Sequence, residues 1–360
     1  GGGLGGGICG REGRAGGIVR EKRAGEHRPP FGLWKEGVTM NRQTKPLKPY
    51  HGLIVLILTA VCIFLIGPVL SNYMGLYGTL ISELLMLAGA VGCTFLFRGN
   101  PKYVFPIHKP TPHGLFGTFL FWMGTIGIAM VFTVVLACFF PDEIMGTSAG
   151  LSYTFLSVPV LVAVLIVSIT PAFCEEAVFR GIVFNSFWPI GNKWIVIVLT
   201  GCIFGAFHGS IWRFFPTAIL GMAMAYLLAE TGNMVYNIMF HAINNLLPLI
   251  MMFGMQWLMD GLYQVAGSAA YSQTGSYSFS YNLASAGIYV AMTGIALVLI
   301  YAGNFLIHMG RKGYEGKMFG GHRKKHLYIL IGAAVGFFVL GCFLVIASAA
   351  AGAFGRMIYY

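Results

Sequence analysis

The sequence predicts an all-α polytopic membrane protein, and three observations carry the prediction. Hydrophobic residues make up 57% of the 360 residues and charged residues only 10%, where an average soluble chain carries about 25% charged. Apolar runs long enough to span a bilayer recur along the chain, and the basic residues crowd into every second connecting segment. So few ionisable groups cannot clothe a soluble body of this size. The formal net charge of +11 would suit nucleic acid only on a charged soluble face, which this composition does not supply. The lipid bilayer is the implied partner and nucleic acid is excluded. The seven cysteines are scattered without a C-x-x-C spacing, six of them in apolar runs, which is the pattern of small buried side chains.

Taken in order, residues 1–39 are Gly-rich and charge-dense, without periodicity, and the character changes at Met40-Asn41-Arg42-Gln43. Lys35-Glu36-Gly37 can be encoded by a purine-rich stretch like a bacterial ribosome-binding site. Native translation is therefore expected to start at Met40, with 1–39 a non-native or disordered extension. A spanning helix needs about 20 mainly apolar residues. Nine runs qualify: 52–71, 76–97, 114–140, 154–187, 194–211, 214–230, 233–256, 284–308 and 327–350. Helices 1–3 thus occupy 40–153 and helices 4–7 form a core at 154–256. A polar external loop covers 257–283, and helices 8–9 lie in 284–360 with a basic cytoplasmic loop at 309–326. With the amino terminus inside, thirteen basic residues fall in cytoplasmic segments and two, Arg213 and Arg356, outside. That asymmetry predicts a multi-pass protein of the cell membrane, amino terminus cytoplasmic and carboxyl terminus external.

An ionisable group inside a spanning helix costs about 2.5–3.5 kcal/mol, so such groups are functional candidates. Among the acids and histidines these are Glu83, Glu175, Glu176, His208 and His241. Glu83, alone and toward the outer end of its span, reads as a polar bridge between helices. The other four converge. From the turn Trp188–Lys193, Glu175 and His208 each lie roughly 20 Å into their helices, and His241 lies roughly 14 Å past the turn at Gly232, at 1.5 Å per residue. Glu176 and Arg180 are four apart, one turn on one face, so the guanidinium can neutralise and orient the carboxylate. Glu175 points about 100° away and is free for other work. His241 and Asn245 share the same spacing and can address one ligand. Phe204, four before His208, reads first as packing and second as pocket wall.

In order, the motifs are Glu175-Glu176-Ala-Val-Phe-Arg180, Phe204-Gly-Ala-Phe-His208 and His241-Ala-Ile-Asn244-Asn245. This resembles the CPBP family of intramembrane proteases, also called the CAAX amino-terminal protease or Abi family, in a bacterial form. The stretch Tyr226–Asn233 is similar to the family's link between its last two motifs, and the resemblance covers about residues 154–256. It implies a peptidase acting on a membrane-associated peptide or protein, in a family whose eukaryotic members trim prenylated CAAX termini and which is often classed with metalloproteases. It also implies roles: Glu175 with His208 to activate water, His241 and Asn245 to stabilise the oxyanion, Glu176 and Arg180 to hold the site. Physical chemistry points the same way, since peptide hydrolysis needs a base and oxyanion donors. Water is expected to enter by a cone opening on the cytoplasmic end of the four helices.

Two alternatives stay open. Glu175, His208 and His241 also make a ligand set for Zn²⁺ with an open fourth position, although no cofactor is required by the motifs and no H-E-x-x-H occurs. A non-proteolytic immunity or adaptor protein of the same fold is the other.

Overall fold

The computed structural model describes residues 45–266, 279–309 and 321–358. The extension 1–39 and most of the basic loop 309–326 lie outside the described residues. The described chain is all-helical: α1 (Pro49–Met74), α2 (Leu76–Leu96), α3 (Pro112–Phe139), α4 (Pro141–Phe155), α5 (Val160–Ile190), α6 (Lys193–Ala206), α7 (Ile211–Thr231), α8 (Met234–Ala266), α9 (Phe279–His308) and α10 (Gly321–Ile358). Eight of these are long and apolar enough to cross a membrane; α4 and α6 are the exceptions.

Three sequence expectations are corrected here. The fifth span, expected over 194–211, stops at Ala206 and turns through Phe207 and His208 into Gly209, whose φ of 64° is left-handed. A left-handed glycine just past the last turn ends a helix, and α6 is left with 14 residues, about 21 Å of rise. The break at Pro141-Asp142-Glu143 instead opens α4. Proline in the first turn, followed by acids at the positive end of the helix, starts helices rather than merely stopping them. The next span begins at Val160, after Pro159, not at 154. Finally, the polar loop expected at 257–283 is shorter, because α8 runs on to Ala266 and α9 begins at Phe279. Residues 257–266 hold no proline and several good helix formers, so nothing ends the helix there.

Packing divides the bundle. α9 lies between α3 and α10, brought close by small residues. A Cβ added at Gly117 would come 2.9 Å from the Gly303 carbonyl, and one at Gly303 2.6 Å from the Gly117 carbonyl. The same backbone approach joins Gly287 to Gly341. Small-residue contacts of this kind replace the hydrophobic drive that lipid does not provide. α10 is peripheral, with 6% of its spanning window buried, against 50% for α5. The largest fully buried side chains all fall between Ile166 and Leu249, and Glu176 and Arg180 are among them.

α5 is not a plain helix. Wider π turns cover Val164–Ile169 and Ala177–Val183, with Pro171 between them. Proline has no N–H to give the carbonyl four residues back, here Val167. That carbonyl is satisfied from outside: Asn245 Nδ2 on α8 donates to Val167 O at 3.1 Å. Ser168 Oγ donates to Ala242 O at 2.8 Å, so the proline break bolts α5 to α8. At the other end of α8, Asn233 clamps the segment before α3. Its Oδ1 accepts from the His108 and Val235 amides and its Nδ2 donates to His108 O.

Candidate active site

The site grows from the Glu176–Arg180 pair on α5. Arg180 Nη1 donates to Glu176 Oε1 at 2.9 Å, and Nη2 donates to the Gly221 carbonyl of α7 at 3.0 Å. The guanidinium lies over the Phe204 ring of α6, 4.3 Å from its centroid. Side-chain exposure is 1% for Arg180 and 0% for Glu176, which a charge tolerates only when paired and hydrogen-bonded. The same Glu176 Oε1 lies 2.9 Å from His241 Nδ1 on α8. Asn237, one turn before His241, donates to the Met224 carbonyl at 2.7 Å and reaches Glu176 Oε2 at 3.5 Å. One ion pair therefore fastens four helices and fixes the plane of His241.

Glu175 sits on the other side of that imidazole. Its Oε2 is 3.8 Å from His241 Nε2. It is buried and accepts no hydrogen bond from another protein group. His208 stands in the turn after α6, with Nδ1 2.9 Å from the Phe204 carbonyl. A carbonyl only accepts, so Nδ1 carries the hydrogen and Nε2 keeps the lone pair. The Phe204 ring meets His208 and His241 edge-on, at centroid distances of 4.8 and 5.8 Å. It therefore does both things read from its spacing, packing under Arg180 and walling the site.

Five of the six predicted residues thus form one cluster: Glu175, Glu176, Arg180, His241 and, across Phe204, His208. Asn245 lies one turn further along α8, with one Nδ2 hydrogen committed to Val167 O and its Oδ1 accepting from Asn244. Three further residues belong here. Asn237 carried a readable signal, a second polar side chain one turn from His241. Arg213, counted among the external basic residues, is half-buried at the start of α7 and acts on both Glu175 and His208. Glu83 is buried on α2, the helix that packs against the stretch of α5 carrying Glu175.

The two ends of the cluster differ in how well they are covered. Toward the turn at 188–193 the site is closed by Ile182, Val183, Phe184, Leu227, Leu228 and Phe240, all fully buried. Toward the end where α6 stops short, His208 is half-buried and Ala206, Gly209 and Ile211 are exposed. The early end of α6 leaves that side of the cluster less covered.

Among the described residues, no group of three His, Cys, Asp or Glu side chains is placed to hold a metal ion. Each nitrogen of His241 faces a carboxylate of its own, and His208 Nδ1 is spent on a carbonyl.

Residues 157–247 match the family model described as Rce1-like, type II CAAX prenyl endopeptidase. No curated protein and no solved structure matches the chain.

Proposed function

From the match of residues 157–247 to the Rce1-like family model, we propose that this membrane protein is a CPBP/CAAX-type endopeptidase cutting a membrane-associated peptide or protein with water activated by Glu175 and His208. One observation supports it above the others: a buried carboxylate oxygen, Glu175 Oε2, free of hydrogen bonds from the protein and 3.8 Å from Nε2 of an imidazole whose Nδ1 is held by a second glutamate. Glu175 takes a proton from water while the hydroxyl adds to the carbonyl carbon. The second Nδ2 hydrogen of Asn245 donates to the oxyanion, and His241, whose Nδ1–H is given to Glu176, joins it through Nε2–H in its doubly protonated form. When the C–N bond breaks, the proton on Glu175 passes to the leaving amine. Glu176 and Arg180 take no part in the bond changes; they hold His241 and Phe204 in place. The basic residues flanking the helices orient the chain with its amino terminus in the cytoplasm. The less covered side beside α6 then faces outward and suits an exported peptide.

The test is a quantitative comparison of membrane and exported peptides from cells with the active protein and cells with Glu175→Gln. Defined fragments that require the active form support the reading, and identical peptide sets overturn it.

The chemistry is proposed to need no metal. Protein purified after strong chelation, with the chelator then removed, is expected to keep its activity and to carry well under one zinc per chain by elemental analysis. A zinc-bound water returns from a pKa near 7 to about 15.7 when the ion leaves, so a zinc enzyme would lose its nucleophile. Activity lost on chelation and restored by Zn²⁺ alone would make Glu175, His208 and His241 the ligands.

A further inference from the structure

Asn244 stands next to the oxyanion donor Asn245, and stability does not account for it. Its Oδ1 is buried and, among the described residues, has no hydrogen-bond partner. An unsatisfied buried acceptor destabilises a fold, so a side chain kept for packing alone would be apolar here. What the residue gains lies at the other end of its amide, where Nδ2 donates to Asn245 Oδ1 at 3.2 Å.

That contact ends a chain of hydrogen bonds whose direction is fixed. The chain starts at Pro171, which has no N–H for the Val167 carbonyl. A carbonyl only accepts, so the end of Asn245 lying 3.1 Å from Val167 O is Nδ2 and not Oδ1. Oδ1 therefore faces Asn244, and because it too only accepts, Asn244 must present Nδ2 to it. Two anchors at opposite ends of an amide hold more than one. The Val167 carbonyl selects which end faces α5, but that bond alone would let the group swing about it. Asn244 pins the far end and with it the plane of the amide. The second Nδ2 hydrogen of Asn245 is then left with one direction. Asn244 and Asn245 follow His241 by three and four residues, one turn along the same face of α8. The pinned amide thus belongs to the side of the helix that carries the imidazole.

We infer that Asn244 is a positioning residue for peptide hydrolysis, locking the Asn245 amide with its uncommitted N–H toward the oxyanion at some expense in stability. It acts through Asn245, and the inference rests on the peptidase reading.

The test uses the purified full-length protein with a cleavable peptide, reading kcat, KM and melting temperature together. Asn244→Leu is expected to lower kcat about 10- to 100-fold through misplacement of the donor, with KM little changed. Its melting temperature is expected to equal or exceed that of wild type. Asn244→Gln, whose longer amide can still donate to Asn245 Oδ1, is expected to recover most of the rate. In an Asn245→Ala background no amide remains to be held, so adding Asn244→Leu is expected to lower kcat no further. Three results would overturn the role: Asn244→Leu at wild-type kcat, a loss of kcat accompanied by a lower melting temperature, or the same loss repeated in the Asn245→Ala background. A wild type that cuts no membrane or exported peptide sinks the peptidase reading and this role with it. An active wild type with any of the three results sinks the role of Asn244 alone.

Discussion

Glu175→Gln is expected to lower peptide hydrolysis by at least about 10²-fold, the low end of what a positioned base contributes, without loss of folded protein. The amide keeps the volume of the carboxylate and removes the base. The fold is spared because Glu175 Oε2 accepts no hydrogen bond that the change would break. Hydrolysis in liposomes and thermal melting in detergent are the two readouts. Activity within a few-fold of wild type would move the chemistry away from Glu175.

Its neighbour behaves in the opposite way. Glu176→Ala is expected to destabilise the protein by about 3–5 kcal/mol, the range for breaking a buried ion pair from one side. It leaves Arg180 charged, 1% exposed and without its carboxylate. Activity falls too, because His241 Nδ1 loses the oxygen 2.9 Å away that sets its ring. The double change Glu176→Leu with Arg180→Met removes both charges. It is expected to melt above either single variant while remaining inactive. A double variant no more stable than the singles would show that the pair is not coupled, whatever its geometry.

These contrasts follow how much of the site could be read from the chain. The Glu176–Arg180 pair was legible because both partners lie one turn apart on one helix. The meeting of Glu175 with His241 was legible as an agreement of depths across two turns. Relations that depend on which helix abuts which were not. Pro171 announces an unpaired carbonyl at Val167, but nothing local says that Asn245 supplies the donor. Helix ends failed for a different reason, since each stop signal also has a second meaning. Pro141 ends one helix and begins another, while His208-Gly209 looks like the continuation of an apolar run until the left-handed glycine cuts it. The three motifs speak for α5 to α8 and are silent on α9 and α10, whose glycine seams became visible only in contact.

The abrupt end of α6 has a mechanical consequence for the surrounding lipid. A helix of 14 residues rises about 21 Å, whereas the hydrocarbon layer is about 30 Å thick. A span that is too short is accommodated by local thinning of the bilayer, by snorkelling of flanking residues or by oligomerising, at a fraction of a kcal/mol per Å, and thinning would place a dimple beside Phe207–Ser210. A peptide lying among the lipids loses that cover only at the dimple, where headgroups and water descend to the level of His208. Membrane thickness itself thereby sets how far a scissile bond must travel to become wet, and long acyl chains would hold the two apart.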